Sequence, residues 1–343
     1  MNQLMARMLC AATLICAFAV TPTFGEQADD FWQEQRAGAN SFNGAPPDLA
    51  YFEAAHDAGI TWMRLTWSKW PSAAEGAQEG WFLQGDPANY NGLVREDLDV
   101  LRRVVDDAEK AGVRVVLVPL SLPGLLWRQH NDDVSDARLW TDETYHEQAA
   151  VMWRDLAVEF RDHPAVVAYN LVNEPHPART VNGNGTDPID FAEDSRDTPA
   201  DLDRLYKTIA AAIREVDADT PIMLDGPDFA STQAITALRP LPNELGPVLY
   251  SAHMYEPWSF TSWNMHKGEW SYPGVMPLPW GQGDTTVDAD FIDEKFRVVD
   301  AWLSEYDIPV SQFVLGEYGI QRINPGAAAY LHDVRHAADS RGW

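Results

Sequence analysis

Cysteine is almost missing from this 343-residue chain, and the two that occur, Cys10 and Cys16, both lie in its first 25 residues. From residue 26 onward neither a disulfide nor a cysteine-ligated zinc site is possible, so the fold must rest on its apolar core. Positive charge is scarce as well: 25 Lys and Arg against 52 Asp and Glu give a formal charge of −27. Such a surface repels polyanions, which argues against nucleic acid and anionic membranes as partners and suits an uncharged substrate. The apolar run Met8 to Val20 falls short of the about 20 residues that cross a bilayer. With Arg7 before it and small residues up to Gly25 after it, it reads as a signal peptide. Residues 1–25 are therefore expected to be removed. Residues 26–343 should form one secreted domain, extracellular or periplasmic, monomeric and free of the membrane. The chain has no Gly-x-Gly-x-x-Gly after its first strand, no phosphate loop, no His-Glu-x-x-His and no Gly-x-Ser-x-Gly. Dinucleotide, nucleotide, zinc-protease and serine-hydrolase chemistry thus lack their marks, and neither cofactor nor metal is expected.

What is present is a repeating alternation of short apolar runs and longer helical periods. Ile60–Trp67, Val113–Pro119, Ala165–Val172, Pro221–Leu224, Val248–His253 and Gln312–Leu315 read as strands covered on both faces, with 36–42 as a weaker first strand. Between them, Val94, Leu98, Leu101, Val105 and Ala108 share one helical face that Gly112 ends, as expected of a helix packed on a sheet. Leu202, Leu205, Ile209, Ile213 and Val216 share another, with Thr198 as expected cap and Pro199 in the first turn. The faces Tyr145 to Phe160 and Ile292 to Leu303 complete the set. Seven βα units in a row favour an α/β fold closed as a (β/α)8 TIM barrel over an open sheet. The helix from Ala327 should feed an eighth strand, yet Trp343 is the last residue, so the barrel is expected to be truncated before or at that strand.

Tryptophans crowd the segments after the strands: Trp67, Trp70, Trp81, Trp127, Trp140, Trp258, Trp263, Trp270 and Trp280. These loops build the mouth of a barrel, and flat rings there suit sugar stacking, although several could simply pack loops onto the body. Two strands end in carboxylates. Tyr169-Asn170-Leu171-Val172-Asn173-Glu174-Pro175 brings Glu174 to one strand end, and Pro175 is expected to hold Glu174 extended. Phe313-Val314-Leu315-Gly316-Glu317-Tyr318-Gly319 brings Glu317 to another. Charges about 5 Å apart repel by roughly 3 kcal/mol in a medium of intermediate dielectric, which is enough to leave one carboxyl protonated beside an ionised one. His253 and Tyr255 alternate onto one side of their strand, where Tyr255 could donate to Glu317; Arg64 could add positive charge. A buried structural His and Tyr, and an Arg paired with a structural acid, are the competing readings.

Arg64, Asn173-Glu174-Pro175, His253-x-Tyr255 and Gly316-Glu317-Tyr318-Gly319, in that order, resemble glycoside hydrolase family 5, the cellulase-like barrels, over residues 36–343. The resemblance implies a retaining β-glycosidase acting on a β-linked polysaccharide or oligosaccharide, foremost β-1,4-glucan. Glu174 would be the acid/base, Glu317 the nucleophile and Asn173 the partner of the sugar 2-hydroxyl. Arg64, His253 and Tyr255 would line the cleavage subsite, and Trp127 and Trp258 are the aromatic candidates for substrate contact. Mannan or another β-glucan, or an impaired carbohydrate-binding fragment, are the alternatives. Two departures are visible: Leu120 stands where the family usually carries a His three residues before Pro123-Gly124, and the family's eighth-strand Trp, a sugar platform, would lie beyond Trp343.

Overall fold

The computed structural model describes residues 28–343, so the signal-peptide expectation for residues 1–25 lies outside the described residues. Seven parallel strands form one curved sheet in chain order: β1 (Gly38–Ser41), β2 (Trp62–Leu65), β3 (Arg114–Leu117), β4 (Val166–Asn170), β5 (Ile222–Asp225), β6 (Val248–Met254) and β7 (Phe313–Tyr318). All six adjacent pairings are parallel. Parallel neighbours need crossovers, and the amphipathic segments supply them as helices on the outer face. These are α1 (Leu49–Asp57), α2 (Arg95–Lys110), α3 (Glu143–Phe160), α4 (Leu202–Arg214), α5 (Ala289–Glu305) and α6 (Ala327–Asp339).

Each expected strand is found within a few residues of its anticipated ends. The near-continuous hydrophobic runs have the expected cause: every residue of β2, β4, β5 and β6 is buried. Side chains alternate between two apolar layers. Met63, Leu65, Val115 and Leu117 point out to the helices. Trp62, Val116, Ala168, Met223, Leu249 and Val314 fill the barrel interior, joined from below by Phe31. Trp32 sits beside them and donates its indole N–H to the Val167 carbonyl at 2.9 Å.

No eighth strand joins the sheet among the described residues. β1 and β7 instead flank a cleft of about 840 Å3, bounded also by Trp32, Gln35 and the last turn of the chain at Asp339 and Trp343. Two details differ from expectation. The cap of α4 is Asp201, whose carboxylate accepts from the Asp203 and Arg204 N–H groups. Thr198 lies one turn too early, and its hydroxyl donates to Ser195 O instead. A carboxylate three residues closer to the first apolar position outcompetes the hydroxyl, as the N-cap geometry requires. The long β6–α5 connection also holds an antiparallel hairpin, Gly274–Pro277 with Asp284–Val287, that was not anticipated. Its strands are four residues each with only one buried residue apiece, and the first begins with Gly and ends with Pro, so they lack a periodic signal. As expected, α2 ends just before Gly112, which takes a left-handed φ of +76°.

Candidate active site

The register of the sheet sets which residues meet at its C-terminal rim. Asn40 of β1 pairs with Arg64 of β2, and His253 of β6 pairs with Glu317 of β7. Glu174 lies four residues past the end of β4, in the turn that leaves the barrel. These elements bring together Arg64, Asn173, Glu174, His253, Tyr255 and Glu317. One oxygen of Glu174, one of Glu317 and a ring nitrogen of His253 all lie within 4.8 Å of one another.

The two carboxyls have opposite surroundings. Glu317 Oε1 accepts from Arg64 Nη1, and Oε2 accepts the Tyr255 hydroxyl at 2.9 Å. Burial alone would push this carboxyl up, but His253, Arg64 and Tyr255 outweigh it and hold it below its ordinary value. Glu174 Oε1 meets only His253 Nδ1, at 2.9 Å. Its side chain remains 29% exposed through the mouth of the barrel. Burial raises this carboxyl, the His253 contact lowers it, and the nearby charges of Glu317 and Asp225 raise it again; the net shift is upward. The two carboxyls are thus shifted in opposite directions, Glu174 toward keeping its proton and Glu317 toward staying ionised, the asymmetry an acid and a nucleophile need.

Arg64 organises the floor. It is wholly buried and holds Asn40 Oδ1 at 3.2 Å, Asn170 Oδ1 at 2.6 Å, Asn173 Oδ1 at 2.9 Å and Asp225 Oδ2 at 3.2 Å, besides Glu317. Burial would lower its pKa, but Asp225 and Glu317 more than offset that. Arg64→Met should therefore destabilise the fold at neutral pH by about 3–5 kcal/mol, because two carboxylates lose their buried counter-charge. Urea denaturation would measure this. The loss should shrink as pH falls and Glu317 takes up a proton; a loss within error of zero at pH 7 would contradict it.

Some expectations need revision. Glu174 is not extended: its φ is +48°, in the left-handed region. The turn is held by its own backbone N–H, which donates to Asp225 Oδ2 at 3.1 Å. Proline after it disfavours the right-handed helical region only, and the Asp225 contact decides among what remains. The tryptophans divide. Trp67, Trp70 and Trp140 are at most 2% exposed and pack loops against the barrel. Trp258 is 51% exposed, its ring edge-on to Tyr255 at 6.3 Å. Trp127 is half-buried with the Lys69 ammonium 4.5 Å from its ring centre. Leu120, in the place of the family's His, is buried, and its N–H donates to Ser68 Oγ at 2.9 Å, so its side chain offers the cleft no hydrogen bond.

Three contributors were missed: Asn40, Asn170 and Asp225. Asp225 had a readable signal, since Met223-Leu224-Asp225-Gly226 is another apolar strand ending in an acid. Asn170 had a weaker one, a polar residue inside a run otherwise buried and mostly apolar. By spacing alone Glu174, His253 and Glu317 could chelate a cation, but Arg64 already fills the cationic role at Glu317.

Comparison with known proteins bears on the family and the fold. The Cellulase family (glycosyl hydrolase family 5) matches residues 26–341. A beta-xylosidase of Phanerodontia chrysosporium is 30% identical over 151 residues, which are 43% of this chain and 27% of that protein; the match thus spans about a quarter of that relative's length. Among solved structures, an endoglucanase of Thermotoga maritima superposes with a TM-score of 0.63 at 19% identity, covering 93% of this chain and 89% of the other. An endoglucanase of Pseudomonas stutzeri gives 0.61 at 20% identity, covering 89% and 82%. The superpositions establish a shared barrel fold, and the match over nearly the whole chain places this protein in glycosyl hydrolase family 5.

Proposed function

We propose that the protein is a secreted, retaining β-glycosidase that cleaves β-1,4-linked glucan by double displacement. The observation that carries this reading is the pair of unlike carboxyls whose nearest oxygens are less than 4.8 Å apart. Carboxyls about 5–5.5 Å apart leave room for a covalent sugar adduct, whereas inverting enzymes hold theirs about 6.5–9.5 Å apart to admit water. Glu174 donates its proton to the glycosidic oxygen while Glu317 attacks the anomeric carbon. Water then attacks the ester, Glu174 takes the water's proton and Glu317 leaves as a carboxylate. Arg64 and Tyr255 keep Glu317 ionised until it attacks. Asn173, whose side-chain oxygen is taken by Arg64, presents its amide N–H groups to the sugar 2-hydroxyl. Trp258 and Trp127 provide stacking faces, and the first 25 residues direct export.

β-1,4-Glucan stands first because the endoglucanases share the fold over most of both chains. The local likeness to a beta-xylosidase puts β-1,4-xylan oligosaccharides second. Following the products of each on a panel with mannan by proton NMR distinguishes these readings. Cello-oligosaccharides should be cut fastest, and the first-formed product should carry the β-anomeric configuration. An α-configured first product would remove the double displacement, and exclusive cleavage of xylan or mannan would replace the substrate.

A further inference from the structure

His176 follows Glu174 by two residues in the turn that leaves the barrel, and its surroundings use only one of its two ring nitrogens. Nδ1 lies 2.7 Å from the Glu174 carbonyl oxygen. A carbonyl can only accept, so Nδ1 carries the proton of that bond. Burial pushes the pKa of the ring down, and the charges of Arg179 and Arg128 push the same way, outweighing the Glu174 carbonyl. At neutral pH the imidazole is therefore uncharged, and Nε2 is a bare lone pair. Nε2 has no hydrogen-bond partner among the described residues and is not shut off from solvent.

The ring is held firmly. It is half-buried and lies flat on the half-buried Phe229, with centroids 4.1 Å apart and planes 14° apart. The Arg179 guanidinium lies 5.3 Å from the centre of the Phe229 ring. The Phe229 backbone N–H donates to the Pro175 carbonyl at 3.3 Å, which ties the segment after β5 to the Glu174 turn. Phe229 stands between Asp228 and Ala230, and the three take φ values of +59°, +55° and +57° respectively. Left-handed residues without a glycine cost free energy. Here that cost delivers an aromatic face to one side of the imidazole. With that face covered and Nδ1 committed to the turn, Nε2 is the polar group the ring has left to offer a ligand.

Glu174, on the reading above, hands its proton to the oxygen of the sugar that departs, so the departing sugar lies on the Glu174 side of the cleft. We propose that His176 is a substrate-binding residue of this leaving-group side, and that its Nε2 accepts a hydrogen bond from a hydroxyl of the departing sugar ring. The inference rests on Glu174 as acid/base. An unprotonated imidazole nitrogen accepts and cannot donate, so it selects a hydroxyl donor. A saccharide leaving group offers such donors; a dinitrophenyl group offers none.

His176→Asn removes Nε2 while its amide N–H can still donate to the Glu174 carbonyl. Two substrates with the same cellobiosyl glycone separate the roles: cellotetraose, with a sugar leaving group, and 2,4-dinitrophenyl β-cellobioside, with an aryl one. In His176→Asn, kcat/KM on cellotetraose should fall by about five- to tenfold, while the aryl substrate stays within about twofold of wild type. His176→Gln returns an acceptor to the Nε2 position and should move the ratio of the two values back toward wild type. Equal slowing of both substrates by His176→Asn would mean that His176 acts only on the Glu174 turn and would overturn the proposal, as would no slowing of either. If His176→Asn fails to fold, nitrogen NMR decides, using Glu317→Gln, which binds without cleaving, and His176→Gln to identify the signal. A bare Nε2 whose resonance shifts on adding cellotetraose supports the proposal; a protonated Nε2, or an unmoved resonance with the saccharide bound, overturns it. Glu174→Ala is run alongside. Wild-type cleavage of cellotetraose by that variant would refute the underlying assignment, whereas its failure together with an unchanged substrate ratio in His176→Asn would refute this inference alone.

Discussion

Glu317→Gln should lower kcat by about four orders of magnitude, equivalent to roughly 5.5 kcal/mol of barrier, with a far smaller change in KM. The amide is nearly isosteric but cannot form the glycosyl ester, so binding survives and chemistry stops. Arg64 Nη1 and the Tyr255 hydroxyl, which both donate to Glu317, would face an amide that can accept only one of them well. A 2-deoxy-2-fluoro-β-cellobiosyl fluoride should also trap the wild-type enzyme, and peptide mass spectrometry should place the label on Glu317. A label on any other residue, or a loss below about tenfold, would remove Glu317 from the nucleophile role.

Glu174→Ala should show a different signature. On oligosaccharides, kcat/KM should fall by about 10²–10⁴-fold, the usual contribution of a general acid. On 2,4-dinitrophenyl glycosides the first step should survive and ester breakdown become limiting, because water has lost its base. Azide, which attacks without a base, should restore turnover and yield the β-glycosyl azide. No rescue, or equal damage to all leaving groups, would count against Glu174 as the acid/base. The alkaline limb of the wild-type profile should report this same group, since its folded-state pKa is raised and activity is lost once its proton leaves.

The barrel was readable because its strands are buried on both faces and its helices on one, which imposes two different periods on the chain. The site was readable where chemistry forces an unusual residue onto an apolar strand, as at Glu174, Glu317 and Arg64. It was less readable where a residue acts only through its neighbours. Asp225 ends its strand as Glu317 ends β7, yet without distances nothing separates a reacting acid from one that holds others in place. Asn40 belongs to a four-residue strand, three of whose residues are only half-buried, and its role emerges only from the register with Arg64. The backbone of Glu174 could not be anticipated from Pro175, because a contact 51 residues away fixes it. The hairpin after β6 was invisible for the opposite reason: it buries too little to impose a pattern.

The cleft between β1 and β7 places side chains where a continuous ring would have main-chain ladder bonds. Arg64, one strand in from the near bank, reaches over to Glu317 on the far bank, and the Asn40 amide lies 3.5 Å from the Gly316 carbonyl beside it. The Arg64–Glu317 ion pair is therefore also a link across the opening. On the proposed double displacement, Glu317 loses its charge when it carries the sugar as an ester, so this link should weaken for the lifetime of each adduct.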